Sequence, residues 1–573
     1  MDTCIVSKTE EGLNSIEKSN KNNLKNIKSD FFVKKMFLTL PKKKLLNIIK
    51  YNKQTQNLLD INIFDYKKYN ELYTPIEIEI IPFKDACGKF IHIFDDESFF
   101  HIYFNDCKEE TKRNYITEND KIEKIKIILD YRVNSFGQIF AECICIQSIY
   151  FRKCYRKNIN NMDKMFYNCS LLKEIDLTNF NTENVINMSS MFYGCASLKE
   201  INLSNFNTNK VTSMEGMFFG CVLLKEIELT NFNTNNVLYF GAMFYGCSSL
   251  QKINLSNFRT NNAVNMSLMF YGCSSLKEID LSNFNTNNVI YLFGLFYGCS
   301  SLKTIDLSNF RTNNVNNMNS MFYGCSSLKE IDLSNFNTNN VRNMSAMFYA
   351  CSSLKKVNLS NFNTNNVENI SLMFLRCTSL EKIDISNFNT NNVITMDGMF
   401  LGCSSLKEIN LSSFNTLKVI NMGGMFCGCS SLREINLSNF RTNNVSNMNS
   451  MFCGCSSLKE IDLSNFITNN VIDLSFMFYG CSSLKEINLS NFNTNNVNIM
   501  EEMFHGCTSL KEINISNFNT INVLNMKRMF YGCSSLKDIK ASNFNINHVV
   551  DKYDMFYGCQ NEFVAKIRNY FEI

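Results

Sequence analysis

Hydrophobic and polar residues recur along most of the chain in one fixed pattern. In the unit that begins at Met188, apolar residues occupy positions i, i+3, i+4 and i+7 as far as Cys195, which is the stripe of a short amphipathic helix. The next residues, 198–206, alternate apolar and polar side chains around Ile201 and Leu203, as a half-buried strand does. Each unit therefore predicts a short helix followed by a strand.

The unit repeats every 26 residues without insertion. A cysteine marks the same position each time: Cys169, Cys195, Cys221, Cys247, Cys273, Cys299, Cys325, Cys351, Cys377, Cys403, Cys429, Cys455, Cys481, Cys507, Cys533 and Cys559. One unit cannot bury both apolar faces, whereas stacked units share a continuous core.

The expected fold class is therefore an α/β repeat solenoid. Residues 139–573 should form about 16 units in a right-handed coil, with a parallel β-sheet on the concave side and short helices on the convex side. Residues 560–573 are predicted to form a C-terminal cap helix. A small α+β region should precede the solenoid.

The unit Met-Phe-Tyr-Gly-Cys-Ser-Ser-Leu-Lys-Glu-Ile-Asp-Leu-Ser-Asn-Phe resembles the BspA-like leucine-rich repeats over about residues 139–559. That family includes bacterial and mycoplasmal surface proteins and protist proteins. The resemblance implies a leucine-rich-repeat fold and a role in binding or adhesion. A cell-surface adhesin is accordingly one open interpretation.

The N-terminal region has a different pattern. Residues 1–29 are polar and predict a disordered tail. Residues 30–70 have helical spacing, interrupted at Pro41. Residues 71–138 are expected to form a small β-rich cap, because apolar and polar residues alternate from Ile76 to Ile80.

The order Leu40-Pro41, Leu45-Leu46, Ile48-Ile49 resembles an F-box. An F-box is the short helical module that docks a chain onto the Skp adaptor of a cullin ubiquitin ligase. The resemblance implies a Skp-type adaptor bound through residues 31–60 and a role as the substrate receptor of a ubiquitin ligase. Two ordinary packed helices are the alternative.

Charge and amino-acid composition restrict the possible functions and cellular locations of the protein. A net charge of +4 excludes a strongly charged polyelectrolyte, and the N-terminal lysines lack the stacking aromatics of a nucleic-acid site. The sequence has neither a membrane span nor a recognisable signal peptide. With 24 cysteines, the chain is expected to be cytoplasmic, where thiols stay reduced.

No catalytic constellation or phosphate-binding loop is visible, so we predict a protein that is not an enzyme and that has no cofactor and no metal site. Four cysteines on adjacent units, in Cys427-Gly-Cys429 and Cys453-Gly-Cys455, are the strongest zinc candidate. Residues two apart on a helix point in different directions. Cys429 and Cys455 are therefore interpreted as core residues and the other two as surface substitutions.

The exposed strand positions give the candidate binding surface. Acidic residues recur there, represented by Glu200, Glu278, Asp280, Glu330, Asp332, Glu460 and Asp462. Lysines such as Lys199 and Lys329 precede the glutamates and compensate part of the charge. We predict that this concave face docks a protein partner that is basic; a merely solvated face is the alternative.

Tyr239 and Tyr291 replace polar residues on the convex side of two units. They predict either a second contact patch or a local change in packing. The favoured function is a non-catalytic leucine-rich-repeat scaffold that mediates protein–protein interaction through its concave face. The ubiquitin-ligase receptor and the adhesin remain alternatives.

Overall fold

The computed structural model describes residues 30–94, 96–130 and 132–571. The predicted disordered tail, residues 1–29, lies outside the described residues. Four helices come first: α1 (Asp30–Leu38), α2 (Lys42–Ile49), α3 (Lys53–Leu58) and α4 (Ile63–Tyr73). They pack around a small cluster of their own, formed by Phe37, Leu45 and Ile49.

A β-sheet joins this region to the repeats. It contains β1 (Ile76–Pro82), β3 (Phe100–Phe104), β5 (Ile125–Leu129), β6 (Ile146–Lys153) and β7 (Glu174–Asp176) in the order β3-β5-β1-β6-β7. A two-stranded pair, β2 (Gly88–Lys89) and β4 (Tyr115–Ile116), lies outside it. Because β6 pairs antiparallel with β1 and parallel with β7, the sheet covers the first rung of the solenoid.

The repeats form a solenoid of 26-residue rungs with strands in parallel register. Glu330 lies beside Lys356, and Ile331 lies beside Val357. The further strands are β8 (Glu226–Glu228), β9 (Lys252–Asn254), β10 (Glu330–Asp332), β11 (Lys356–Asn358), β12 (Glu460–Asp462), β13 (Glu486–Asn488), β14 (Glu512–Asn514) and β15 (Asp538–Lys540). A second ladder, of single parallel bridges, runs from Asn161 to Asp551. The predicted stacked fold is confirmed.

The predicted short helices of the rungs are wrong. Between Met188 and Cys195 the chain forms consecutive turns. The backbone amides donate hydrogen bonds alternately within the rung and to the next rung. For example, the Tyr193 amide donates to the Ser190 carbonyl (3.1 Å), and the Gly194 amide donates to the Phe219 carbonyl (2.6 Å). Ser190 and Gly194 have φ of 54° and 71°, which an α-helix of L-residues does not contain. The i, i+3, i+4, i+7 residues nevertheless point inward as predicted.

Buried polar side chains join successive rungs. The hydroxyl of Thr338 donates to the carbonyl of Asn363 (2.8 Å) and accepts the amide of the same residue (2.7 Å). Equivalent threonines repeat this pair of bonds along the solenoid. Since buried backbone groups need partners, the threonines satisfy main-chain groups that no strand covers.

Stacked aromatic columns show which way the solenoid curves. Ring centroids are 4.1–4.2 Å apart in the column from Tyr193 to Tyr349, 5.6 Å apart between Phe192 and Phe218, and 6.4 Å apart between Phe206 and Phe232. One repeated rotation relates successive rungs, so the spacing grows with distance from the centre of curvature. The tyrosine column therefore lies nearer the centre of curvature than the two phenylalanine columns.

Helix α5 (Asn561–Phe571) follows the last rung. Its residues Phe563 and Ile567 are buried against the end of the core. Among the helices of the described residues, none has the length and apolar character needed to cross a membrane.

Candidate functional site

The strand face is the surface formed by the outward residues of the short strands. In β10, Ile331 points into the core while Glu330 and Asp332 are exposed. The alternation of a strand places these two carboxylates on the same side. The other predicted acidic residues are exposed as well: Glu200, Glu278, Asp280, Glu460 and Asp462.

The aspartates of this face have a structural task. Asp332 accepts the backbone amide of Ser334 at 2.9 Å, and this bond holds the pKa of the carboxyl below its usual range. Asp462 does the same for Ser464. Asn202 accepts the equivalent bond in its own rung, so Asp and Asn are interchangeable as the residue that fixes the turn after the strand.

The glutamates have no such task. Glu174 bonds to the hydroxyl of Tyr150, but no hydrogen bond or ion pair from the described residues holds Glu200, Glu278, Glu330 or Glu460. These side chains belong to the Glu column: Glu174, Glu200, Glu226, Glu278, Glu330, Glu408, Glu434, Glu460, Glu486 and Glu512. Lysines interrupt the column at Lys252, Lys356 and Lys382.

A basic rim runs along one edge of the Glu column. It consists of the residues directly before the column: Lys173, Lys199, Lys225, Lys277, Lys303, Lys329, Lys355, Lys407, Arg433, Lys459, Lys485, Lys511 and Lys537. The strand face is therefore not uniformly negative. Acidic strand positions and basic rim positions form two parallel stripes of opposite charge.

Two shallow grooves follow the strand face. One of about 870 Å³ extends over five rungs, from Glu200 to Asp306. Another of about 620 Å³ extends from Glu408 to Asn488. Each is floored by the isoleucines of the strands and edged by the carboxylates, a shape suited to an extended segment rather than a small molecule.

Tyr239 and Tyr291 lie on the bridge ladder, each paired with Asn265 between them. Their side chains are 43% and 45% exposed. Together with Leu238, Val264 and Ile290, which are half-buried, they form the tyrosine patch. Within each rung, the residues of the tyrosine patch occupy different sequence positions from the residues of the strand face.

One family model accounts for the repeats. The model described as "Mycoplasma protein of unknown function, DUF285" matches residues 134–250, 221–330, 293–407, 350–461, 377–486 and 454–570. These matches overlap and cover the whole solenoid. The chain belongs to the DUF285 family.

Solved structures share limited similarity with this DUF285 chain. A chain of the Toll–Spatzle complex of Drosophila is 15% identical, with a TM-score of 0.23, and the match covers 71% of this chain and 54% of that one. The DUF285 chain thus spans about half the length of that protein. No curated protein is significantly similar.

Two further structures are similar at the same level. A leucine-rich repeat protein from Eubacterium ventriosum is 15% identical, with a TM-score of 0.25, over 61% of this chain and 81% of that one. The ectodomain of the receptor kinase GASSHO1/SCHENGEN3 from Arabidopsis thaliana is 13% identical, with a TM-score of 0.17. That match covers 64% of this chain and 56% of the ectodomain chain.

The cysteines of the DUF285 repeats fall into two groups. Cys429 and Cys455 are fully buried, whereas Cys427 and Cys453 are partly exposed. The four thiols therefore do not converge, and within the described ranges no group of three or more His, Cys, Asp or Glu residues is arranged to hold a metal ion. The sequence interpretation did not find that Cys427 and Cys453 contact each other.

Proposed function

We propose that this protein is a non-catalytic repeat scaffold whose strand face binds a protein partner through a basic segment of that partner. The observation that carries the proposal is the Glu column. Its members are exposed, regularly spaced on a rigid backbone and mostly without partners among the described residues. Neither the core nor the turns require a glutamate at this position.

The aspartates of the strand face differ from the glutamates in having a role in folding. Asp332 and Asp462 each fix a local turn, so their presence is explained by folding alone. Glu330 and Glu460 have no equivalent bond, and a neutral polar residue would keep the strand equally soluble. Exposed carboxylates in a row attract a cationic segment and set its register on the surface.

The basic rim favours an ordered over a diffuse contact. A partner whose positive residues lie on the Glu column would meet repulsion if it shifted sideways onto Lys329 or Lys459, because like charges then face each other. The grooves of about 870 and 620 Å³ provide space for an extended chain along several rungs.

The test compares two full-length variants in quantitative co-purification from the source cells. One replaces Glu278, Glu330, Glu408 and Glu460 with Gln, which removes four charges and keeps the shape. The matched control replaces Tyr239 and Tyr291 with Asn, the residue that occupies this position in most rungs. Exposed charge pairs contribute about 0.2–1 kcal/mol each, so four of them amount to about 0.8–4 kcal/mol, and the first variant should lose roughly fourfold to several hundredfold in affinity.

The control should bind like the unaltered protein, and added salt should weaken the wild-type complex. A complex that survives the four substitutions but disappears in the tyrosine variant would move the binding site to the tyrosine patch. A complex that is insensitive to both variants would contradict the strand face as the docking surface.

A second candidate docking surface is the helical region. Large apolar side chains of α1 and α4 are exposed, with Phe31 at 71% and Phe64 at 73%. Such exposure is unusual for a soluble helix pair and favours a protein contact. This supports the F-box-like interpretation, in which a Skp-type adaptor binds residues 31–60 and the solenoid holds the substrate.

Purified Skp-type adaptor tests this second function directly. Wild-type chain should bind it, and the double variant Phe31→Ser and Phe32→Ser should not, since both residues are exposed and contribute nothing to the cluster around Phe37. Failure of the unaltered chain to bind would remove the ubiquitin-ligase role and leave the strand-face proposal untouched.

We also propose a reducing compartment for the protein. All cysteines of the described residues are free thiols, and those of the core have pKa values raised by burial. Labelling of intact cells with a membrane-impermeant reagent should leave the chain unmodified. Strong surface labelling would instead favour the adhesin alternative.

A further inference from the structure

One column of the solenoid carries stacked aromatic rings on its surface. Tyr245, Tyr271 and Tyr297 stack at 4.1–4.2 Å with nearly parallel planes. At two adjacent rungs the column position is occupied by Cys427 and Cys453, between Leu401 and Tyr479. These are the only cysteines at this column position in the sequence.

The backbone holds these two cysteines side by side. The amide of Gly428 donates to the carbonyl of Cys453, and the amide of Gly402 donates to that of Cys427, both at 2.6 Å. Between Tyr193 and Tyr349 the rings of the column repeat every 4.1–4.2 Å. Disulfide-linked Cβ atoms are about 3.5–4.5 Å apart, so the spacing of this column suits a bond between rungs.

The two thiols are neighbours on adjacent rungs. Their mutual interaction lowers the pKa of Cys427 and raises that of Cys453. Both are partly exposed. A thiolate that forms readily and is accessible to solvent is the reactive form of cysteine.

We propose that Cys427 and Cys453 form a reversible dithiol–disulfide site that exchanges with low-molecular-weight disulfides of the glutathione class. The Cys427 thiolate attacks one sulfur of the small disulfide, forms a mixed disulfide and releases one small thiol. Cys453 then loses its proton to solvent and attacks the Cys427 sulfur, releasing the second small thiol. Two protein thiols are oxidised and one small disulfide is reduced to two thiols.

The neighbouring core cysteines take no part in this exchange. The thiols of Cys429 and Cys455 donate to the carbonyls of Phe400 and Phe426 at 3.2 Å and are fully buried. Burial raises their pKa well above the usual range. The chemistry is therefore confined to the surface pair, although each member lies two residues from a buried thiol.

The experiment treats the folded full-length chain with oxidised glutathione, quenches with acid, alkylates and maps the peptides by mass spectrometry. Trypsin places Cys427 in residues 419–433 and Cys453 in residues 442–459. The expected product is these two peptides linked, about 2 Da below the sum of the reduced peptides, with fragmentation that locates the bond at Cys427 and Cys453. Dithiothreitol should restore both thiols.

The variant Cys453→Tyr is the matched control, because it introduces the residue found at this position in the following rung, Tyr479. It should keep the fold and accumulate a glutathione adduct on Cys427 instead of the link. The proposal is overturned if the wild-type chain carries separate adducts on both cysteines, if neither reacts while exposed Cys87 and Cys107 do, or if fragmentation places the bond at Cys429 or Cys455.

Discussion

The thiol of Cys325 donates a hydrogen bond to the carbonyl oxygen of Phe296 in the preceding rung, at 3.2 Å. The same bond joins Cys351 to Phe322 at 3.0 Å and recurs along the cysteine column. The Phe296 carbonyl also accepts the amide of Cys299 in its own rung at 3.1 Å, so the thiol is a second donor to the same oxygen. The cysteine column therefore links rungs by hydrogen bonds as well as filling the core.

Replacing Cys325 with Ala should destabilise the solenoid by about 1–2 kcal/mol, because the thiol hydrogen bond to the Phe296 carbonyl is lost and a small cavity remains. Urea unfolding and hydrogen exchange of the adjacent rungs measure this loss. Cys107→Ala is the control, since Cys107 is exposed and lies outside the repeats. Equal midpoints for the two variants would argue against the role of the thiol bond.

Alkaline pH should destabilise the protein. Burial raises the pKa of the thiols of Cys299 and Cys351 to about 12, whereas an unfolded cysteine titrates near 8.5. The folded state thus retains protons that the unfolded state loses, so the contribution is complete below about pH 8.5 and declines as the pH rises towards 12.

The urea midpoint should accordingly be lower at pH 10 than at pH 7.5. The fall should be smaller in a variant with Cys299, Cys325 and Cys351 replaced by Ala, measured against its own midpoint at pH 7.5. A midpoint that does not change between the two pH values would contradict the buried thiol column.

Thr338→Val should be more harmful than Thr338→Ser. Valine keeps the shape but removes both bonds to Asn363, leaving a buried amide and a buried carbonyl without partners at a cost of about 1–3 kcal/mol each. Serine keeps the bonds and loses one methyl group, about 1 kcal/mol. Thermal unfolding shows which variant is less stable. A valine variant that unfolds at a higher temperature than the serine variant would refute the inter-rung role of the hydroxyl.

Asp332→Asn should leave stability at neutral pH unchanged, while Asp332→Ala should lower it by about 0.5–1.5 kcal/mol. The amide oxygen of an asparagine can accept the Ser334 amide, as Asn202 does for Ser204, and alanine cannot. Because the hydrogen bond lowers the folded pKa of Asp332, its stabilising contribution is present above the unfolded pKa near 3.9 and is lost as the pH falls through the folded value. Identical acid-unfolding profiles for the wild-type chain and the Asp332→Asn variant would contradict this linkage.

Much of the fold could be predicted from one rung. The 26-residue period and the inward columns at Met188, Phe192 and Cys195 follow from spacing alone, and burial confirms them. The replacement of helices by turns could not be predicted from the spacing, because successive turns can bury the same i, i+3, i+4, i+7 residues as a helix. The available signal was Gly194, since a glycine repeated inside a short helix is unfavourable and here it adopts positive φ.

The candidate site was predicted less completely. Exposure of Glu330 and Asp332 follows from strand alternation, but their different tasks depend on the hydrogen bond to Ser334, which the sequence does not display. Contact between Cys427 and Cys453 likewise requires the register of adjacent rungs. Hydrogen bonds between rungs, as from Thr338 to Asn363, join residues 25 positions apart and cannot be assigned from a local pattern.

Site-specific photo-crosslinking in the source cells tests the strand-face account most directly. A photoreactive residue is placed in the full-length chain at Glu278 or Glu460 on the strand face, at Tyr239 in the tyrosine patch, or at Asn343 on the bridge ladder. The account predicts crosslinks to one protein from both strand-face positions and none from Tyr239 or Asn343. Crosslinks from Tyr239 without any from Glu278 or Glu460 would contradict it.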